Sequence, residues 1–237
     1  MSLHAVFRGF AFGVVLLAAA AASAGSLDAF KPGARFTGEL KLPLFSAPLP
    51  PGDWTTVYVN DWRDNNKNML IEIGLIKNDG AAVTDVLTIR TNVDATSAGW
   101  LTNGMCSRAD VLHNDVLVNL VEKQDCWGVN HNVWKETSEF APTIGTNLQQ
   151  FAQTLGLSYP STTVTAFVRM ANRSAFLEMQ HHNNAVSLGV NDPKLGWSDS
   201  LWRKDRVAND PARIAVVDKI REQSKAWHEQ LKTVGYF

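Results

Sequence analysis

Two stretches of this chain alternate apolar and polar side chains on both flanks of a short polar turn, the pattern of a β-hairpin. In the first, Met69–Lys77 and Ala82–Arg90 flank Asn78-Asp79-Gly80, where Gly80 suits the left-handed residue of a three-residue loop. Setting Lys77 against Ala81 aligns Leu75 with Val83, Ile71 with Leu87 and Met69 with Ile89, and gathers them with Ile73 on one face. A slip of one residue would scatter these side chains, so burial selects the face. One residue resists: Asp85 points inward opposite Ile73, and either the strand bulges there or Asp85 is a buried carboxylate with a role.

In the second, Val164–Ala171 and Ser174–His182 flank Asn172-Arg173, a two-residue loop in which Asn tolerates positive φ. Pairing Ala171 with Ser174 places Val164, Ala166, Val168, Met170, Ala175, Leu177, Met179 and His181 on one face. The pairs Thr165–Gln180, Phe167–Glu178 and Arg169–Phe176 fall on the other face, where the two Phe residues imply partial cover.

The remaining elements follow from breakers and caps. Five of the nine prolines lie between Gly25 and Pro51, so residues 25–51 read as an extended lead-in with one short strand at Arg35–Leu42. Trp54–Asn60 and Val116–Val121 read as further strands, the latter entering Cys126 and Trp127. A short helix over Asn147–Leu155, capped by Thr143 or Thr146, stops at Gly156. A long one starts at the N-cap Asp210 with Pro211 in first position, and its apolar stripe runs through Val216, Val217, Ile220, Trp227, Leu231 and Val234. Residues 52–237 thus form one α+β domain: an antiparallel sheet of two hairpins and a disulfide-linked central strand, covered by one short and one long C-terminal helix. The order of elements is similar to that of Mog1/PsbP-like α/β/α sandwiches, which implies an alternative layering and says nothing about activity.

At the other end, Arg8 precedes an apolar run from Phe10 that closes on Ala22-Ser23-Ala24, the composition of a secretory signal peptide over residues 1–24. Export to a periplasm or to the extracellular space would leave Cys106 and Cys126, the only two cysteines, to form one disulfide. A metal site fits poorly, because Cys106, His113, Cys126 and His131 lack the close ligand pairs of zinc sites. No later run is long and apolar enough to span a bilayer once the signal is removed. With 22 basic and 23 acidic residues the chain has no field to gather nucleic acid.

No catalytic or cofactor motif stands out, and no cofactor is expected. The ligand-binding candidates are Asp125, Trp127 and His131, which bring together a carboxylate, an indole and an imidazole beside the cystine. His181 reads as half-buried, His182 as solvated and His228 as a surface residue. Most of the eight Trp residues read as core, with Trp197 and Trp202 anchoring the last helix. Asn172-Arg173-Ser174 matches a glycosylation sequon on a turn. The leading expectation is a non-catalytic exported protein that binds a small ligand or a protein partner. The alternatives are a hydrolase using His131 and Asp125, with Ser107 or Ser138 as nucleophile, and a structural component of the cell envelope.

Overall fold

The computed structural model describes residues 27–102, 104–134, 144–190, 193, 196–235 and 237. The signal segment 1–24, Thr143 and Ser138 lie outside them, as does the Thr146 side chain. Eight strands form a single antiparallel sheet: β1 (Arg35–Lys41), β2 (Ser46–Arg63), β3 (Met69–Asp79), β4 (Ala82–Asn92), β5 (His113–Leu120), β6 (Lys123–Val133), β7 (Thr162–Ala171) and β8 (Phe176–Asn184). Their order is β1-β2-β3-β4-β8-β7-β6-β5, so two meanders meet where β4 pairs with β8. Helix α1 (Ile144–Thr154) covers one face and α3 (Pro211–Thr233) the other, with a one-turn helix α2 (Lys204–Val207) leading into α3.

The α3 face is built from the apolar halves of both hairpins. Ile73, Ile89, Met179, Val168 and Trp127 sit side by side across β3, β4, β8, β7 and β6. They join Trp227 and Leu231 of α3 in the largest core cluster. One residue along, on the opposite face, the same strands carry Glu72, Arg90, Glu178 and Arg169 as neighbours. Arg90 pairs with Glu72, and Arg169 Nη1 donates to Glu178 Oε2 at 3.3 Å. Glu72, Arg169 and Glu178 are buried and survive as charges only because they are paired, while Arg90 reaches solvent. Gly74 stands on that face because Leu148 of α1 comes down on it: a Cβ there would lie 2.7 Å from the leucine Cδ2.

Both hairpins keep the expected faces apart from Val83, but their registers shift, by four residues in the first and by two in the second. In the first, Leu75 faces Leu87 and Ile73 faces Ile89, and the chain turns on Gly80 and Ala81. A bulge at Thr84 follows, which turns Val83 over to the α1 face and sets Asp85 opposite Lys77 instead of Ile73. In the second, Ala171 faces Phe176, so the loop has four residues. Asn172 closes it by accepting from the backbone N–H groups of Ser174 and Ala175, which a two-residue loop forcing Arg173 to positive φ does not allow.

The sheet is also wider than two hairpins and one strand. Residues 25–51 contribute β1 and the start of β2, whose prolines fall where β2 pairs with β1 alone. There Leu49-Pro50-Pro51-Gly52 balloons out, because Thr37 faces Asp53 while Glu39 faces Pro48. Cys126 lies on β6, one strand in from the edge rather than at the centre, and its disulfide to Cys106 (Cα–Cα 5.8 Å) ties down the 3₁₀ turn Gly104–Ser107. The start of α3 follows the sequence closely: Asp210 accepts from the N–H groups of Ala212 and Arg213, and Pro211 takes the first turn.

Candidate functional site

The proline-rich bulge of β2, the sheet and helix α3 enclose a cavity of about 420 Å³, a size suited to a small organic ligand. Two indoles hold its wall. Trp54 Nε1 donates to the carbonyl of Pro50 at 2.8 Å, and Trp227 Nε1 donates to that of Pro48 at 2.9 Å. Both carbonyls sit in a stretch where prolines cannot complete a ladder, so the indoles satisfy groups the sheet leaves over.

On the floor, His181 of β8 occupies a row otherwise formed by Leu75, Leu87, Ala166 and Val129. The adjacent row runs Lys77, Asp85, Asn183, Val164 and His131. The Thr84 bulge aims Asp85 at its diagonal neighbour, and His181 Nε2 donates to Asp85 Oδ1 at 2.8 Å. Lys77 Nζ lies 3.0 Å from Asp85 Oδ2, 3.4 Å from the Pro51 carbonyl and 5.5 Å over the Trp54 ring. Its stem passes across Gly52, where a Cβ would come within 2.6 Å of Lys77 Cδ. Trp54 and Trp227 meet His181 edge-on at 5.5 and 6.4 Å between ring centroids.

The electrostatics follow from this packing. Burial alone would raise the Asp85 carboxyl, but the His181 hydrogen bond and the charges of His181 and Lys77 outweigh it and hold its pKa at about 2. Asp85 is therefore a permanent carboxylate between two nitrogen bases. The other polar residues lining the cavity are the neutral amides Asn183, Gln223 and Gln230.

The residues singled out in the sequence lie elsewhere: Asp125 and Trp127 both meet His228, whereas His131 stands apart from them. Asp125 Oδ1 accepts from Nε2 of His228 on α3 at 2.5 Å. His131 is six residues further along β6, about 20 Å at strand rise, and stacks on Trp197 at 4.3 Å. Among the described residues neither of its ring nitrogens has a hydrogen-bond partner. Its pKa falls to about 4, first through burial and then through the charge of Arg108. Trp127 is buried between His113 and His228 and does not line the cavity. Asp125 borders a smaller hollow of about 170 Å³ with Lys123, Lys232 and Phe237. Ser107 accepts a hydrogen bond from Asn119.

Two histidine assignments change. His228 is fully buried rather than on the surface, because its position beside Trp227 turns it toward β6 and the Asp125 carboxylate. His182 is buried rather than solvated. Its Nδ1 meets Asn132 and Thr165 and its Nε2 meets Thr88, and burial pushes its pKa down to about 3. Sequence reasoning did not select Lys77, Asp85 and His181 as a site, although Asp85 and His181 were the two polar residues left over in two apolar rows. The missing signal was the bulge that lets them meet.

No group of three or more His, Cys, Asp or Glu side chains among the described residues is placed to hold a metal ion. None of their helices is long and apolar enough to cross a membrane. The chain matches no family model, no curated protein and no solved structure with which it was compared.

Proposed function

We propose that this is an exported protein that binds a small organic ligand without transforming it, in the cavity between α3 and the sheet. One observation carries the reading: a half-buried Asp85–His181 pair, with Lys77, opens onto a cavity of about 420 Å³ whose remaining wall is Trp227, Pro50, Pro51, alanines and the neutral amides Asn183, Gln223 and Gln230. An apolar enclosure with a few convergent polar groups is the usual form of a ligand site. Polar side chains on a helix-covered sheet face weaken the core, and ligand recognition gives Asp85 and His181 a use. The disulfide supports an address outside the reducing cytoplasm.

The test is native mass spectrometry of protein isolated from its own compartment, beside an Ala226→Trp variant. Ala226 is an exposed α3 residue at the rim of the cavity, so an indole there fills the space with little effect on the fold. The expected result is a small-molecule adduct on the parent and none on the variant. A parent that emerges bare, with a melting temperature unmoved by its native extract, would sink the reading.

A further inference from the structure

We infer that the ligand is a neutral pyranose sugar, its C–H surface against Trp227 and Pro50-Pro51 and its hydroxyls between the sheet and α3. The inference deepens the ligand-binding reading and rests on it. The first observation behind it is a balance of charge. Lys77 and Asp85 are the ammonium and the carboxylate of the lining, 3.0 Å apart. Asp85 gives its other oxygen to His181, and Lys77 also meets the Pro51 carbonyl and the Trp54 ring. Each of the two charges thus has its counter-charge beside it. An ionic ligand would give up its hydration to enter and find neither of them waiting for a partner, whereas a neutral one loses less.

The second observation is where the polar groups stand. Gln223 and Gln230 lie two turns apart on one side of α3, about 10 Å at helical rise, with Ala226 and Trp227 between them. On the sheet, Lys77 and Asn183 flank Asp85 in one row. Pro50, Pro51 and Ala166 complete the apolar part of the wall. Two of the three Lys77 N–H groups go to Asp85 and to the Pro51 carbonyl, which leaves one donor. Asn183 spends its Nδ2 on the carbonyls of Val164 and His181, each at 3.2 Å, which leaves Oδ1 as an acceptor. Each glutamine carboxamide brings both kinds of group. A hydroxyl donates and accepts at once, and a pyranose carries several around a ring whose faces are C–H. An apolar ligand would instead cover the buried Asn183 and leave its Oδ1 unmet, which is costly.

Probes of one ring size test the proposal on the intact, disulfide-bonded chain. They are the methyl pyranosides of glucose, galactose and mannose, then the uronate and the 2-ammonium analogue of whichever binds best, and cyclohexanol. Binding is read from amide and indole NMR shifts at Ala226 and Trp227. The best pyranoside should bind at least about tenfold more tightly than cyclohexanol and than either ion. Gln223 and Gln230 are exposed, so a Gln223→Leu, Gln230→Leu double variant spares the fold, which unchanged melting and NMR dispersion certify. It should weaken the pyranoside about tenfold and leave cyclohexanol as it was. If cyclohexanol or either ion binds as tightly as the best pyranoside, or the double variant binds that pyranoside as the parent does, the inference fails and the ligand-binding reading stands. If no pyranoside shifts the cavity residues the inference also fails, and a bare protein in native mass spectrometry then removes the broader reading with it.

Discussion

His228 on α3 donates to Asp125 on β6 across 2.5 Å, and this contact pins the long helix to the far half of the sheet. The imidazole is 1% exposed and the carboxylate 14%, so the pair is largely shielded from water. Ser224, one turn earlier, donates to the backbone carbonyls of Gly128 and Phe167 and brings the helix close to the strands. His228→Ala leaves a half-buried carboxylate without this partner and a cavity beside Trp127. The expected loss is about 3 kcal/mol of unfolding free energy, measured by urea denaturation, and a loss under about 1 kcal/mol would show the pair to be incidental.

The Asp85 carboxyl gives a signature on the acid side. Its folded pKa of about 2 lies below the ordinary value of 3.8, so it adds stability that is complete above pH 3.8 and is lost as pH falls toward 2. The contribution is about 2 kcal/mol. Asp85→Asn should therefore be less stable than the parent by about that amount at pH 7, with the gap closing near pH 2.

Two buried imidazoles act over a higher range. His131 and His182, with pKa values near 4 and 3, stay neutral in the folded protein while an unfolded chain protonates near 6.5. Stability is thus full above pH 6.5 and declines as pH falls toward the folded values, by roughly 1.4 kcal/mol per pH unit for each histidine. Urea midpoints between pH 7.5 and 4.5 should fall accordingly, and His182→Gln should halve the slope. A flat profile in the parent would mean that both rings protonate in place.

The disulfide makes a simpler case. Both sulfurs are buried and join residues 20 apart in sequence, so reduction without denaturant should be slow. A Cys106→Ala, Cys126→Ala double variant should lose about 3 kcal/mol, read from the same denaturation curves.

Glycine at position 128 is required by a close approach. A Cβ there would meet the His113 carbonyl oxygen at 2.2 Å and the Phe167 ring at 2.7 Å, and the oxygen belongs to the neighbouring strand. Gly128→Ala should destabilise by about 3 kcal/mol. Gly104→Ala, where a Cβ meets nothing within 4 Å, is the matched control and should change little.

The faces of both hairpins were legible because alternation survives any even shift of register. The register was not, because turn residues alone do not distinguish a two-residue loop from a four-residue loop closed by Asn172. Strand β6 was missed for a different reason. Trp127-Gly128-Val129-Asn130-His131 lacks the apolar alternation of a strand, yet all five residues are buried, held between β5 and β7 and beneath α3. The site was half visible: Asp85 and His181 each stood out as misfits, but their meeting depends on the Thr84 bulge, and Lys77 counted only as a turn neighbour. His228 was misread because its place on the helix, next to the apolar stripe, gives no hint of a carboxylate waiting on another strand.

The alternating charges of Glu72, Arg90, Glu178 and Arg169 bear on that same ambiguity. Greasy side chains recur every second residue, so to them a strand displaced by two positions looks correctly seated. The ionic row does not forgive the displacement: with Arg169 against Phe176 and Phe167 against Glu178, the buried Arg169 guanidinium would face a ring in place of its carboxylate, a penalty of several kcal/mol. Hydrophobic alternation tells each strand which way to face, and these four ions tell it where to stop.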